Sequence, residues 1–364
     1  MKVLHIEAGR HLYGGARQVL YLLEGLAARG VESILACPEG SDIAREARPW
    51  ARVVEMRMGG ELDLMLPGRL RRLMMDTRPD LVHVHSRRGV DVWGGIAARR
   101  AGIPALLSRR VDNPEPRWLA HWKYGLYAKV IAISEGIRQV LLREGIPPEH
   151  VVTVRSAVDA APYLHACERD AFRETFGLPE HALALGVIAQ LIPRKGHRHL
   201  LAILPEIVQR HPEVRVLFLG KGAHRPQLER QVEQLGLARH VQFTGFRDDL
   251  ARWLPCLDIV VHPADMEGLG VSLLQASSAS LPIIATRAGG IPEAVRDGEN
   301  GLLIPPADPT ALAEALLRLL DNAPLRTTMG ATGRALVQRE FSVTGMVQGN
   351  LALYRQILSA GTLA

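Results

Sequence analysis

The stretch EGLGVSLLQA, residues 267–276, joins one carboxylate and two glycines to an apolar helical segment that carries a single amide side chain, Gln275. A carboxylate just before a helix can accept hydrogen bonds from the hydroxyl groups of a ligand. The backbone N–H groups of Leu269 and Gly270 can donate to the same ligand. Gln275 lies about one and a half turns further on and can face it too. The stretch predicts a site for a hydroxyl-bearing ligand around Glu267.

A second candidate site lies in AQLIPRKGHRHLL, residues 189–201. Gln190 ends a predicted strand, Arg194 and Lys195 lie on the loop, and Gly196 leads into a helix. Two cations beside a helix N-terminus are typical of a phosphate or diphosphate site, and a solvent-exposed basic turn is the alternative. The loop lacks the G-x-x-x-x-G-K-[ST] pattern, which argues against ATP hydrolysis of that class.

Two further loops carry pairs of glycines. In GRHLYGGAR, Gly14 and Gly15 allow the backbone to approach an anion ahead of a helix predicted to begin near Ala16, and a tight turn is the alternative. This loop lacks the G-x-G-x-x-G spacing, which argues against a nicotinamide enzyme. In FLGKGAHRPQLE, Gly220 and Gly222 follow a strand and would place backbone amides near a nucleotide.

Two histidines alternate in HVHSRRG, so His83 and His85 point to the same face of a strand. A metal pair is one interpretation, but no carboxylate accompanies them at ligand spacing. We predict that His83 is a hydrogen-bonded core residue and that His85, at the end of the strand, reaches a substrate hydroxyl.

The elements that must position these loops alternate along the chain. KVLHI, SILAC, DLVHVH, ALLS and KVIAIS are each followed by a helical pattern, as are ALGVIAQ, VRVLFLG, VQFTG, LDIVVHP, PIIAT and GLLIP. Such a series predicts an α/β protein with two doubly wound, Rossmann-like parallel-sheet domains. We place these domains at residues 1–165 and 166–342, followed by a helix within 343–364 that packs back across the domain junction. Because ligands bind at the carboxyl ends of parallel strands, the loops should face one another across a cleft.

The composition fits this organisation. The chain has 364 residues, 47% of them hydrophobic and 23% charged, as in a soluble globular protein with two cores. Its three cysteines, Cys37, Cys167 and Cys256, are far apart and odd in number, so we expect a reducing cytosol and no disulfide framework. No apolar run is long enough for a spanning helix, so we expect a cytoplasmic protein that no signal of its own exports or inserts.

The net charge is +6, and four arginine pairs lie in the first half of the chain: Arg71 and Arg72, Arg87 and Arg88, Arg99 and Arg100, Arg109 and Arg110. A solvated, salt-bridged surface is one interpretation. Attraction to anionic lipid or to a phosphorylated acceptor is the other. No nucleic-acid partner is expected.

Over nearly its whole length the chain resembles the family-4 retaining glycosyltransferases of the GT-B fold, through the combination of E-G-x-G at 267–270, P-I-I-A-T, G-G-I-P-E and D-G-x-N-G. The resemblance implies that Gly14 and Gly15 approach the diphosphate of a donor, that His85 contacts the sugar, that Lys195 binds phosphate and that Glu267 holds sugar hydroxyls.

Two positions depart from the family pattern. The family commonly has arginine where this chain has Gln190, and a second glutamate, which binds the ribose, where it has Gln275. Glutamine keeps an acceptor oxygen but loses the charge, which costs about 1 kcal/mol, or roughly tenfold in affinity. We therefore expect Gln275 to weaken donor binding without abolishing it, and Arg194 to substitute for the missing cation.

The activity that the resemblance implies is transfer of a hexose-like unit from a UDP- or GDP-linked sugar to a hydroxyl, with retention at the anomeric carbon. No carboxylate pair suits a double-displacement glycosidase. No D-x-D-type motif ends a strand, and Asp248 and Asp249 fit a helix start better, so we expect neither a metal nor a cofactor. The predicted catalytic residues are His85, Lys195 and Glu267. The predicted donor-binding residues are Gly14, Gly15, Gln190, Arg194, Lys195, Gly220, Gly222, Phe246, Glu267, Gly268, Leu269, Gly270, Val271 and Gln275.

The acceptor should bind the N-terminal domain. Arg109, Arg110 and Asp112 follow a strand in SRRVDNPEPRW, and Arg17 stands where many relatives have an acid. They suggest an anionic acceptor such as a phosphorylated lipid-linked saccharide, and an arginine-rich surface without a ligand is the alternative. The resemblance is closest to enzymes of lipopolysaccharide or surface-glycan assembly, which implies work at the inner face of the cytoplasmic membrane.

Two other functions remain open on the sequence. A GT-B nucleotide-sugar epimerase would share the fold, but we identify no acid and base residues for it. A non-catalytic nucleotide-sugar-binding protein is suggested by Gln190 and Gln275.

Overall fold

The computed structural model describes residues 1–12, 14–85 and 89–361, which form two compact units. The first unit contains Met1–Ala157 together with the chain from Val343 onward, and the second contains Val158–Ser342. Each unit is built on a parallel sheet covered by helices, so the predicted pair of doubly wound domains is confirmed.

The strands found among the described residues of the first unit are β1 Lys2–Ile6, β2 Glu32–Pro38, β3 Arg52–Met56, β4 Leu81–Val84, β5 Ala105–Arg109, β6 Lys129–Ala132 and β7 Val151–Thr153. Their order in the sheet is β3-β2-β1-β4-β5-β6-β7. The helices between them are α1 Gly14–Ala27, α2 Asp42–Glu46, α3 Leu66–Thr77, α4 Val90–Ala101, α5 Arg117–Tyr124 and α6 Glu135–Arg143.

The central strands of this sheet are buried along their whole length, as LVHV in β4 illustrates, because helices cover both faces. Local signals end or begin several helices. Gly102 follows α4 in the left-handed conformation, and the hydroxyl of Ser134 accepts a hydrogen bond from the Ile137 amide at 3.1 Å at the start of α6.

The second unit has the strands β8 Leu183–Ile188, β9 Val214–Leu219, β10 Val241–Gly245, β11 Ile259–His262, β12 Ile283–Thr286 and β13 Gly301–Ile304. They lie in the order β10-β9-β8-β11-β12-β13. The strands are parallel, and their order along the sheet reverses between β8 and β11. The helices are α7 Arg169–Phe176, α8 His197–Arg210, α9 Arg225–Gln234, α10 Leu250–Trp253, α11 Val271–Ser278, α12 Ile291–Ala294, α13 Pro309–Leu320 and α14 Ala323–Glu340.

The final helix, α15 Val343–Gly361, packs on α1 in the first unit. Met346, Leu351 and Tyr354 of α15 are buried in one hydrophobic cluster with Leu22 and Leu26 of α1. Within the part of the chain that the structure describes, no helix combines the length and the apolar character that crossing a bilayer requires.

The expectation of unpaired cysteines is wrong for two of the three. Cys167 and Cys256 form a disulfide with a Cα–Cα distance of 4.9 Å, and Cys37 is free and buried. Their sequence separation of 89 gives no recognisable spacing. The fold brings them together because the segment before α7 packs against the turn after α10, in a core that includes Trp253 and Phe172.

Reduction of this disulfide should lower the free energy of unfolding of the second unit by about 2–4 kcal/mol, since the bond restricts the unfolded chain. Urea unfolding of the parent with and without a thiol-free reductant measures the change. The variant Cys256→Ser should no longer respond to reductant, whereas Cys37→Ser should respond like the parent. A parent that unfolds identically in both buffers would contradict the pairing.

Candidate functional site

The predicted site residues fall into two groups, one at the carboxyl ends of the strands of each unit. In the second unit, Lys195 precedes α8 and Glu267 precedes α11. Their loops meet at Gly196, where an added Cβ would lie 1.8 Å from the carbonyl oxygen of Pro263. Only glycine permits this approach, and its φ of +69° also favours glycine.

The contact brings the two predicted charges together. The ammonium of Lys195 donates a hydrogen bond to Oε2 of Glu267, and both side chains are largely buried. Nε2 of His262, the last residue of β11, donates to the same oxygen at 2.9 Å. Oε1 of Glu267 accepts from the backbone N–H of Gly268 at 3.1 Å. Both carboxylate oxygens are therefore fixed by named donors.

This environment sets the protonation states. Burial opposes ionisation of Glu267, but the hydrogen bond from His262 and the charge of Lys195 outweigh it and hold the pKa of the carboxyl well below its usual range. Burial lowers the pKa of His262, against the opposing effect of Glu267. At neutral pH Glu267 is thus a carboxylate, and the neutral imidazole of His262 donates to it through Nε2.

Such a cluster can bind both parts of a sugar phosphate. An ammonium has three donors, and one of those of Lys195 is used by Glu267, so others can contact a phosphate oxygen. The carboxylate can accept hydrogen bonds from hydroxyls at the start of α11, where Gly270 adopts a φ of +80° and precedes Val271.

Arg194 and Gln190 lie beside this cluster on the same loop. Gln190 is exposed and Arg194 is half-buried, with its carbonyl accepting from the Asp265 amide at 2.8 Å. The carboxylate of Asp265 in turn accepts from Arg198 and His199, in the first turn of α8, at 2.8 and 2.9 Å. This second bridge between the loops was not predicted, because Asp265 follows no recognised motif.

His197, the first residue of α8, is also close to the cluster. It is buried, and neither ring nitrogen has a hydrogen-bond partner among the described residues. Burial and the neighbouring His262 and Lys195 lower its pKa to about 3, so the ring is neutral. An edge-on contact with Phe218 holds it, with 5.0 Å between ring centroids.

The glycines after β9 are required by backbone packing. A Cβ at Gly220 would lie 1.9 Å from the Ala189 carbonyl oxygen, and one at Gly222 would lie 2.2 Å from that of Leu191. These contacts explain both glycines without a ligand, and their role in donor binding stays a prediction. Phe246, after β10, is 52% exposed.

Gln275 has a protein partner that the sequence did not reveal. It lies in α11, half-buried, and its amide donates to the hydroxyl of Tyr163 at 2.8 Å. Leu269 is buried beneath the same helix start. Contact of Gln275 with a ribose stays a prediction.

In the first unit, three buried histidines meet at the end of β4. His5 of β1 is in register with His83 of β4, and His85 is the residue directly after β4. Nδ1 of His5 and Nε2 of His85 share a hydrogen bond of 3.0 Å. The ring of His83 bonds the Tyr354 hydroxyl at 2.6 Å and Ser108 Oγ at 2.8 Å, so His83 is the hydrogen-bonded core residue that was predicted.

These histidines are the group that could hold a metal within the described ranges, with ligand atoms within 4.8 Å of one another. Burial lowers the pKa of all three, to about 3 for His5, so their rings are neutral. However, the cationic Arg110 lies close enough to lower the pKa of His85 further. A divalent cation there would face this repulsion without a carboxylate ligand, so the cluster is poorly suited to one.

His85 itself is buried, and its Nδ1 has no partner among the described residues. The helix beside it, α1, begins at Gly14, two residues earlier than predicted, so Gly14 and Gly15 form its first turn. A Cβ at Gly14 would contact no described residue within 4 Å, while one at Gly15 would lie 3.6 Å from Cδ of Arg110. The described residues therefore leave space at the first turn of α1.

The predicted acceptor residues occupy different environments. Arg17 is exposed on α1. Arg109 is buried and donates to the carboxylate of Glu144 at 2.8 and 3.0 Å, which makes it part of an internal ion pair. Arg110 donates through Nε to the His85 carbonyl at 3.3 Å. Asp112 is buried, and its Oδ1 has no partner among the described residues.

Two other predictions concern charged pairs. Arg87 and Arg88 lie outside the described residues. Asp249 immediately precedes α10, as predicted, and its carboxylate accepts from Arg247 and from Nε1 of Trp253.

Comparison with known proteins identifies the class. A family model described as "Glycosyl transferases group 1" matches residues 182–322, and one described as "Glycosyltransferase Family 4" matches residues 13–161. The structure is similar to the Anabaena protein HepE in complex with UDP-glucose, with a TM-score of 0.85, 20% identity and coverage of 99% of this chain and 100% of that one. The chain belongs to the family-4 glycosyltransferases and has the GT-B fold.

Curated relatives match either part of the chain or nearly all of it. The chain is 32% identical to a GDP-mannose-dependent monoacylated alpha-(1-6)-phosphatidylinositol monomannoside mannosyltransferase of Corynebacterium glutamicum, over 51% of each protein. The chain thus spans about half the length of that relative. It is 26% identical to the lipopolysaccharide core biosynthesis glycosyltransferase LpsE of Rhizobium meliloti, over 97% of this chain and 98% of LpsE.

Glu267→Gln should lower the free energy of unfolding at neutral pH by about 3–5 kcal/mol, because Lys195 is then buried without a countercharge. The folded-state pKa of Glu267 is lowered, so its contribution is complete above the ordinary value of 4.5 and is lost as the pH falls below it. The difference between parent and variant in the free energy of unfolding, measured with urea, should therefore become smaller in acid. The exposed Glu314→Gln serves as control and should show no gap. A gap for Glu267→Gln that is constant with pH would contradict this.

Proposed function

We propose that the protein is a retaining glycosyltransferase that moves a hexose-like unit from a nucleoside diphosphate sugar to a hydroxyl of a glycan or glycolipid acceptor. The observation that carries this proposal is the buried pair of Lys195 and Glu267 beside the start of α11. HepE, of the same fold, was crystallised with UDP and with UDP-glucose, and the Corynebacterium relative is GDP-mannose-dependent. These support a UDP- or GDP-linked donor.

In the proposed reaction, the bond between the anomeric carbon and the diphosphate breaks as the acceptor hydroxyl attacks from the same face. Negative charge grows on the leaving diphosphate. The ammonium of Lys195, supported by Arg194 and by the amides at the start of α8, stabilises that charge in a fixed arrangement. The leaving phosphate accepts the proton of the acceptor hydroxyl. Neither a metal nor a cofactor takes part in this scheme.

This proposal assigns three sets of contacts to the donor, with the hydroxyls of its sugar, with the sugar itself and with its diphosphate. Glu267 accepts hydrogen bonds from its hydroxyls, because both carboxylate oxygens are already oriented by His262 and Gly268. His85 contacts the sugar through Nδ1, the ring nitrogen that His5 leaves unused. The first turn of α1 at Gly14 and Gly15 approaches the diphosphate.

The proposed acceptor is anionic and lipid-linked, and we assign the protein to lipopolysaccharide or surface-glycan assembly at the inner face of the cytoplasmic membrane. The name of LpsE supports this assignment. Arg17 is the predicted acceptor residue with the most exposed side chain, whereas Arg109 acts through the internal ion pair with Glu144 that shapes the loop after β5.

Lys195→Ala should lower turnover at least about a hundredfold while nucleoside binding changes little, since its charge faces the diphosphate. The control Arg194→Ala removes the neighbouring, more exposed cation and should have a smaller effect. Donor transfer or hydrolysis and thermal shift with a panel of nucleoside diphosphates measure the two quantities. A ligand at about 100 times its dissociation constant adds ~2.7 kcal/mol to stability.

Other outcomes of this assay would replace the proposal. Equal turnover of Lys195→Ala and parent would contradict the role of the lysine. Donor binding by the parent without transfer or hydrolysis would indicate a nucleotide-sugar-binding protein, and release of an unsaturated sugar would indicate an epimerase.

Gln275→Glu should preserve the fold and tighten donor binding by no more than about tenfold if the side chain contacts the ribose as a neutral acceptor. Gln275→Leu should weaken binding by at least as much, because ribose hydroxyls then lose a partner. Tyr163→Phe serves as control, since it removes the hydroxyl that Gln275 contacts and leaves the amide in place.

A competing hypothesis is that Gln190 and Gln275 are matched, each neutral where relatives are charged. Gln275→Glu would then harm activity, and the double change with Gln190→Arg would restore it. A double-mutant cycle on donor affinity separates the two hypotheses. If every variant binds the donor like the parent, Gln275 serves only as the partner of Tyr163.

A further inference from the structure

Two exposed apolar segments of the first unit have no part in the transfer chemistry. Leu62, Leu64 and Met65, just before α3, are 91%, 74% and 72% exposed. Trp118 and Trp122, one turn apart on α5, are 74% and 51% exposed. Monomeric soluble proteins rarely expose several large apolar side chains together. We call these five residues the apolar patch.

The two segments are joined through the first turn of α4. A Cβ at Gly89 would lie 2.7 Å from Cα of Glu61, and Nε1 of Trp93 donates to the Glu61 carbonyl at 3.1 Å. From α5, Lys123 pairs with Asp91 at 3.3 Å. The apolar patch therefore flanks one turn of helix, and that helix follows β4, the strand that ends at the histidine cluster.

The first unit carries an excess of positive charge, which favours binding to a negatively charged surface. Residues 1–157 and 343–364 contain 25 Lys and Arg against 17 Asp and Glu, whereas residues 158–342 contain 19 against 21. Arg57 and Arg117, next to the two segments, are exposed. Asp63 and Glu115 are each paired with a cation, which leaves Glu61 as an exposed acid in the middle.

We propose that the apolar patch inserts into the headgroup region of an anionic lipid bilayer. Tryptophan is enriched at membrane interfaces because its ring is apolar and its N–H is polar, and leucine and methionine gain by reaching the acyl chains. The basic side chains add attraction to anionic lipid. Two copies of this chain would instead bring two positive units together, which disfavours self-association.

The proposal deepens the membrane association inferred above and rests on that part of the proposed function. It requires more than charge, because insertion of apolar side chains persists at high salt while attraction between exposed charges is screened. It also gives a lipid-linked acceptor a short path to the end of β4. Vesicle binding needs no donor, so it can be tested apart from sugar transfer.

The test is co-sedimentation of the full chain with vesicles of phosphatidylcholine alone or mixed with phosphatidylglycerol, at low and high salt. The parent should bind the mixed vesicles and retain part of that binding at high salt. Trp118→Ser combined with Trp122→Ser should weaken binding at least about tenfold, since each ring contributes apolar area. Leu64→Ser combined with Met65→Ser should act similarly.

The matched control is Trp50→Ser, in the same unit and just before β3, so at the amino end of the strand whose carboxyl end leads to Leu62, Leu64 and Met65. It should bind like the parent. Thermal shift with UDP and GDP on every variant checks that the second unit is folded and that donor binding is unchanged, which separates this proposal from the transfer reaction.

Three results would overturn insertion. The first is that the parent does not bind vesicles at low salt. The second is that high salt abolishes binding entirely and both double variants bind like the parent. The third is that the parent forms a dimer in lipid-free buffer, which the tryptophan variants dissociate, and does not bind vesicles. The last result would assign the apolar patch to a second copy.

Discussion

The candidate site of the second unit depends on the close approach of two backbone segments at Gly196. A side chain at this position would overlap the carbonyl of Pro263, so no other residue lets the loop before α8 lie against the loop after β11. Lys195 and Glu267 come from these two loops. Their pairing is thus a consequence of a missing Cβ, and the pair in turn fixes the carboxylate that we assign to sugar hydroxyls. The bridge from Asp265 to α8 strengthens the same junction.

In the first unit, the side chains at the corresponding strand ends are the neutral imidazole rings of three histidines. Among the three buried imidazoles, His5 and His85 share one hydrogen bond and His83 bonds two hydroxyl groups, and burial keeps the rings uncharged. Charge lies one loop further on, where Arg109 is enclosed by Glu144 and by backbone carbonyls. A carboxylate and an ammonium therefore lie at the strand ends of the second unit, and uncharged histidines lie at those of the first.

Much of the fold could be predicted, because alternation of apolar runs and helical patterns is a local property of the sequence. The two loops of the second-unit site were also predictable, since a carboxylate or a cation next to a helix start is visible in a few residues. Their direct contact was not, because Lys195 and Glu267 are 72 residues apart. His262 looked like the end of an apolar strand. Arg109 looked like a surface cation because Glu144, which encloses it, lies 35 residues away.

The same limit explains the disulfide. Cys167 and Cys256 carry no local spacing signal, and only packing of the core around Trp253 brings them together. The partner of Gln275 was equally hidden, since Tyr163 precedes the second sheet by about twenty residues of irregular chain and short helix. Properties that depend on residues distant in sequence therefore required the structure, while properties of single loops did not.

The placement of α15 has a consequence for how the protein is made. The first unit is discontinuous, because its last helix is encoded after the whole of the second unit. Val347 fills the space above Gly25, and Tyr354 supplies the hydroxyl that bonds His83. During synthesis the N-terminal sheet leaves the ribosome without this cover, and the second unit, contiguous in sequence, can fold before the first is complete. His83 then gains its hydrogen bond to Tyr354 only after α15 has been synthesised, so a contact of the N-terminal strands is completed late in folding.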